Sequence, residues 1–190
     1  MVEDLSFRPA SAEDAALIDS IATSAFGPSE HRLSEIRRYL TLEPNYWLLA
    51  EIRGDPVGVV GATDYGSFTY LGMMTVREEF QRKGLGGALF SRELEWLEEL
   101  GLLRLRLDAT DEGFPVYHRA GFEVFDEAVM LERPGLREYE KVPGNVRGMN
   151  KEDLGVLTQF DRPIFGGDRT QLFDALLEDF PGRAFASYDR

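Results

Sequence analysis

The residues from Met73 to Leu89 read Met-Met-Thr-Val-Arg-Glu-Glu-Phe-Gln-Arg-Lys-Gly-Leu-Gly-Gly-Ala-Leu. An apolar run leads into a glycine-rich turn, and the turn opens a long amphipathic stretch. Free N–H groups at a helix N-terminus attract anions, helped by the positive end of the helix dipole. Gly84, Gly86 and Gly87 let backbone approach a phosphate closely. Arg82 and Lys83 add positive charge there, in a chain of net charge -13. Two other phosphate motifs do not fit. A Walker loop needs its Lys after the glycines, and Lys83 precedes them. A dinucleotide fingerprint needs a third small residue where Leu89 stands, so Asp108 at the right distance downstream is a decoy.

Elements must position this turn. Ser11 to Asp14 has the form of a capping box, followed by Ile18, Ile21, Ala22 and Ala25 at helical spacing. Leu33, Ile36 and Leu40 mark one face of a second helix. Tyr46–Ile52 and Val57–Ala62 flank Arg53-Gly54-Asp55-Pro56 as a hairpin. Phe68–Val76 reads as a third strand. Leu85–Glu99 is the clearest helix, with Leu85, Ala88, Leu89, Trp96 and Leu97 inward, acids outward, and Gly101 past its end. Leu103, Leu105 and Leu107 alternate as in a strand. Pro115–Ala120 is a short helix and Phe122–Leu131 a further strand. An early hairpin with later crossovers predicts an α/β fold: a mixed, mostly antiparallel central sheet flanked by helices.

Gln81-Arg82-Lys83-Gly84-Leu85-Gly86 has the pattern Gln/Arg-x-x-Gly-x-Gly/Ala. Downstream stands Tyr117-His118-Arg119-Ala120-Gly121-Phe122. Together, over residues 5–132, these resemble the GNAT (GCN5-related) N-acetyltransferase superfamily. The resemblance implies acetyl-CoA as cosubstrate. Backbone of Gln81, Arg82, Lys83, Gly84, Leu85, Gly86 and Gly87 would hold its pyrophosphate. Met74 and Val76 would meet the pantetheine and thioester. Tyr117 would protonate the leaving thiolate, a role that suits a phenol. The implied reaction is direct attack on the thioester by a primary amine of a small molecule or peptide. The base that frees the amine is open among Asp64, Asp108 and Asp111. Glu78 and Glu79 read as a solvated turn, and His31 and His118 as surface residues. Two other readings stand beside the enzyme: a non-catalytic acetyl-CoA sensor, and an interaction protein that keeps only the fold.

The 190-residue chain is 43% hydrophobic and 12% aromatic, enough for a sizeable core. With no Cys, disulfides, thiolate metal sites and a cysteine acyl-enzyme are excluded; no metal site is expected. The acidic balance argues against nucleic acid and anionic membrane as partners. No apolar run approaches the ~20 residues of a membrane span, and the N-terminus has no apolar leader, so the expected location is the cytoplasm. Oligomeric state is not legible.

After Leu131 the pattern restarts. Residues 134–145, rich in Pro and Gly, read as a linker between a domain at 1–133 and a second segment at 146–190. Arg147 and Asn150–Asp153 repeat Arg8 and Ser11–Asp14. Phe165-Gly166 repeats Phe26-Gly27, and Leu172, Leu176 and Leu177 answer the second helix. Pro181 and Ala184–Tyr188 answer Pro44 and the strand after it. The 146–190 segment is expected to be the incomplete opening of a second GNAT-like repeat, with no second glycine loop. The run Leu107-Asp108-Ala109-Thr110, then Gly113, then Pro115-Val116-Tyr117, resembles a subgroup with two tandem GNAT-like domains, which agrees with this restart.

Overall fold

The computed structural model describes residues 4–29, 31–129, 131 and 144–187. Contacts divide the chain between Glu123 and Val124 into two units.

The first unit is built on a five-stranded sheet: β1 (Leu5–Pro9), β2 (Leu48–Ile52), β3 (Asp55–Asp64), β4 (Thr69–Val76) and β5 (Leu105–Leu107), in that spatial order. The first three pairings are antiparallel and β4–β5 is parallel. Helices α1 (Ala15–Phe26) and α2 (Arg32–Leu40) cover one face. Helix α3 (Leu85–Glu99) covers the other, followed by the short α4 (Phe114–Arg119). The expected mixed sheet with helices on both faces is observed.

Each face has its own core. Ile18, Ile21, Ile36 and Leu40 pack with Trp47, Leu49 and Val59 on the α1–α2 side. Leu48, Ala50, Val60 and Leu71 pack with Leu85, Leu89, Phe90 and Leu97 on the α3 side. Adjacent residues such as Leu48 and Leu49 serve opposite cores, as the twofold period of a strand requires. The Trp47 ring lies flat over Gly61, where any Cβ would come within 2.4 Å of it.

Three expectations are corrected. Strand β1 was not expected. Its Arg8 explains its placement: the guanidinium reaches Glu51 on β2 at 2.7 Å and Asp14 at 2.7 and 2.9 Å. Asp14 also accepts from the Ser11 N–H at 2.8 Å. The Arg8 guanidinium holds the Asp14 carboxyl down at about 2, below its usual range. Second, the described residues of 122–131 form no strand. Val124, Phe125, Val129 and Leu131 are all exposed; a strand needs a partner edge, which local composition does not encode. Third, not all acids of α3 face outward. Glu93 lies one turn from Leu89 and from Leu97, so the helical repeat carries it inward, and it is wholly buried.

The second unit contains β6 (Val146–Gly148), α5 (Leu154–Phe165), α6 (Thr170–Asp179) and β7 (Phe185–Ser187), with β6 antiparallel to β7. This is the order of β1, α1, α2 and β2. Both first helices follow a single 3₁₀ turn and span twelve residues. Both end at Phe-Gly, the glycine at φ 78° in one and 80° in the other. Arg147 donates to both carboxylate oxygens of Asp153, as Arg8 does to Asp14. Tyr188 and most of 134–145 lie outside the described residues.

Candidate active site

Strand β4 and the turn that follows it form the centre of the site. Only Thr69–Leu71 pairs with β5, ending at Leu71 opposite Leu107. The remaining five residues, Gly72–Val76, are held by β3 along one edge alone. The two parallel strands therefore part after Leu71, and among the described residues no strand pairs with the second edge of Gly72–Val76. At the same place β4 bulges: Gly72 faces Gly61 and Thr75 faces Val59, so Met73 and Met74 stand together against Val60. Met73 takes a positive φ of 49°. The extra residue turns the two methionines to opposite faces. Met73 joins the α1–α2 core and Met74 the α3 core.

The turn after β4 is a 3₁₀ turn at Glu78–Phe80 that leads to α3. The side-chain amide of Gln81 donates to the Val76 carbonyl at 2.9 Å, closing the turn back on the strand. The Glu78 N–H donates to Ser24 Oγ of α1 at 3.0 Å. Arg82 sits at φ 58° and Gly84 at φ 82°; the latter is the left-handed residue from which α3 starts. The helix's first backbone bond beyond the turn runs from the Ala88 N–H to the Gly84 carbonyl at 3.0 Å. The N–H groups before it have no partner inside the helix. Gly86 faces β4: a Cβ there would lie 3.5 Å from Met74 Cε and 3.9 Å from Val76 Cγ2. A Cβ on Gly87 would meet nothing within 4 Å. Leu85 is buried and anchors the first turn. Lys83 bends back, its ammonium donating to the Glu79 carbonyl at 2.7 Å and lying over the Phe80 ring. Arg82 remains exposed.

Tyr117 comes from α4 and packs on α3. Its ring meets the buried Phe90 edge-on, centroids 5.0 Å apart, with Phe122 alongside at 6.4 Å. Burial pushes the phenol above its ordinary pKa. Among the described residues its hydroxyl has no hydrogen-bond partner. Met74 and Tyr117 border the same α3-side core.

On the opposite face of the sheet the Tyr70 hydroxyl donates to Asp108 Oδ2 at 2.8 Å. Burial, then the Asp108 bond, raises the Tyr70 phenol well above its usual range. Sequence reasoning weighed Asp108 but missed Tyr70. Its signal is strand alternation: Leu71 faces the α3 core, so Tyr70 faces away. Asp64 is used locally, accepting the Gly66 N–H at 2.8 Å, and lies opposite Thr69, at the end of β4 away from the bulge. His118 stacks on Phe114, and both histidines are exposed.

Residues 9–137 match the profile of the Acetyltransferase (GNAT) domain. The chain is 28% identical over 141 residues to the uncharacterized N-acetyltransferase YitH of Bacillus subtilis, covering 74% of this chain and 49% of that one. A Pyrococcus horikoshii crystal structure carrying an acetyltransferase assignment superposes with a TM-score of 0.77 at 27% identity. That match covers 94% of this chain and 63% of the other. A predicted acetyltransferase of Clostridium acetobutylicum, solved with acetyl-CoA, shares the fold with a TM-score of 0.55 at 20% identity, covering 67% of this chain and 96% of that one. The chain thus spans about half the length of its curated relative and under two thirds of the Pyrococcus chain. With more than half of its residues inside the profile, this chain belongs to the GNAT acetyltransferase-domain family.

Proposed function

We propose that the first unit binds acetyl-CoA and transfers its acetyl group to a primary amine. The observation that carries this reading is the parting of β4 from β5, directly beside the glycine turn that opens α3. The fit rests on three features. Gly72–Val76 offers an unpaired backbone edge to an amide-bearing chain such as pantetheine. The first N–H groups of α3 form an anion site for the pyrophosphate. Gly86 leaves room between helix and strand, with Met74 as its neighbour. The Clostridium relative carries acetyl-CoA on the same fold.

Acetyl-CoA, when bound, supplies an acyl group activated as a thioester. The chain's own residues do the rest. Backbone of Gln81–Gly87 holds the pyrophosphate, with Arg82 the exposed cation beside it. Met74 and Val76 line the strand against which the thioester lies. An N–H of that strand stabilises charge developing on the carbonyl oxygen. Tyr117 delivers a proton to the departing sulfur; its raised pKa keeps the phenol protonated until that charge appears.

The acceptor is a primary amine of a small molecule or a peptide, and the acidic chain favours a cationic one. The second unit is the opening part of another domain of the same type, since its elements, Arg–Asp pair and Phe-Gly helix end repeat those of the first. Isothermal titration with acetyl-CoA, with CoA for comparison, tests the binding half of this reading. Micromolar binding supports it. No binding by a folded chain would reduce the glycine turn to a structural feature. Turnover is tested with a panel of spermidine, neamine and a peptide with a free N-terminal alanine.

A further inference from the structure

We propose that Asp108, held in place by Tyr70, receives the ammonium of the acceptor and takes its proton; this rests on the acetyl-transfer reading above. Asp108 is the first residue of the chain beyond the last β4–β5 pair, Leu71 with Leu107. It therefore stands at the point where the two strands part. The Tyr70 ring lies forward over Gly72: a Cβ on Gly72 would touch it at 3.5 Å. Its hydroxyl ends on Asp108 Oδ2 at 2.8 Å. The pair thus sits beside Gly72, where the strand segment against which the thioester is placed begins.

The face of the sheet matters as much as the position along it. Leu105 and Leu107 border the α3 core, with Tyr117. Arg106 points the other way, its guanidinium over the Phe68 ring at 4.3 Å, and strand alternation puts Asp108 on the Arg106 side. Tyr117 and Asp108 therefore flank the opening from opposite faces. An amine entering from the α1–α2 face meets a carboxylate, while sulfur leaving towards the α4 face meets a phenol. Tyr70 bonds Asp108 directly, the Arg106 guanidinium lies on the same strand face, and Tyr39 of α2 lies within electrostatic reach of the Tyr70 phenol. Asp108 itself is exposed, so a solute can reach it.

The step balances as follows. The acceptor ammonium gives one proton to the Asp108 carboxylate. The freed nitrogen lone pair forms the C–N bond to the acetyl carbon, the nitrogen releases its second proton to water as the amide forms, and the C–S bond breaks. The sulfur takes the proton of Tyr117, and Tyr117 and Asp108 return to their starting states by exchange with water. Tyr70 does not touch the acceptor. It is a positioning residue that fixes the carboxylate by donating to Oδ2 at 2.8 Å.

The test compares wild type, Asp108→Asn and Tyr70→Phe. It reads acetyl-CoA affinity, spermidine, neamine and peptide affinity without acetyl-CoA, and the pH profile of kcat/KM. For D108N, acetyl-CoA affinity within about twofold of wild type, amine affinity lower by about tenfold or more, and kcat lower by about 100-fold or more are expected for loss of a base. For Y70F, kcat should fall by about tenfold with acetyl-CoA affinity within about twofold of wild type, because the carboxylate is no longer held at the opening. Turnover by D108N at the wild-type rate with an unmoved acid limb would overturn the role of Asp108. So would loss of acetyl-CoA binding in D108N, which would make the residue structural. A Y70F kcat equal to that of wild type removes Tyr70 from the mechanism. Binding of acetyl-CoA by wild type with no turnover of any amine would sink the transfer reading itself, and the base with it.

Discussion

Glu93 gives the sharpest stability prediction. It lies on the inner face of α3, 0% exposed, and neither carboxylate oxygen has a hydrogen-bond partner among the described residues. Burial pushes its carboxyl from an ordinary 4.5 up to about 8, against the opposing pull of Arg92. Between those values the folded chain keeps a proton that the unfolded chain has released. Folding stability therefore falls as pH rises through this window, by about 1.4 kcal/mol per pH unit where the slope is full. The loss amounts to roughly 2–3 kcal/mol between pH 5 and pH 7, and levels off above pH 8. Glu93→Gln keeps the shape of the side chain and removes the titration. The assay is urea unfolding of both proteins at pH 5, 6, 7 and 8, following the first unit. Groups common to both cancel in the difference. The stability of wild type relative to E93Q should decline steadily across that range. Parallel curves, agreeing within about 0.5 kcal/mol at every pH, would refute a buried, proton-holding Glu93.

Four more outcomes are expected. Gly86→Val places a branched side chain between α3 and Met74, and should weaken acetyl-CoA binding at least about tenfold by calorimetry, worth about 1.4 kcal/mol; unchanged affinity would remove the turn from the binding site. Tyr117→Phe should lower kcat by about 10–1000-fold with acetyl-CoA affinity preserved, and an unaltered kcat would clear Tyr117 of any role in proton delivery. In Arg8→Ala, the Asp14 carboxyl, held at about 2 by Arg8, should rise towards 3.8 in a carboxyl NMR titration. The stabilisation it marks is present above 3.8 and disappears as pH falls to about 2, so wild type and R8A should converge in acid. Amides of α5 should exchange with deuterium faster than those of α1, because exposed apolar contacts do not protect a helix; equal protection in both helices would contradict the exposure of α5.

The sequence was legible wherever a local rule decides the outcome. Ser11 with Asp14, Gly84 before Leu85 and the alternation around Leu105 each act through neighbouring backbone, and each places an element where it is found. The glycine turn and Tyr117 could be picked out for the same reason. What stayed hidden depends on partners distant in the chain. Strand β1 exists because its backbone pairs with β2, over forty residues on. The 122–131 segment has strand-like composition, but its described residues form no strand. Tyr70 meets Asp108 only because the parallel pairing of β4 with β5 brings them together. Glu93 shows residue type and periodicity in conflict: polarity argues outward, the helical repeat argues inward, and the packing of Leu89 and Leu97 decides.

Helices α1 and α5 separate these two kinds of information within one chain. Both follow the same Arg–Asp clamp, start after the same 3₁₀ turn and stop at the same Phe-Gly. Yet Ile21 of α1 is 0% exposed, while Phe160, at the matching place in α5, is 70% exposed, with Val156 and Ile164 open beside it. In the first unit that face packs on the sheet, with Val59 of β3 and Met73 of β4 beneath it. In the second unit the described strands are two short ones, β6 and β7, which correspond to β1 and β2. Among the described residues of the second unit no further strand covers this face of α5. Local signals are sufficient to form the helix, and the central strands are what bury it. The same division of labour explains the site. The turn at the start of α3 is written in its own glycines, while the opening beside it arises only because β4 outruns β5.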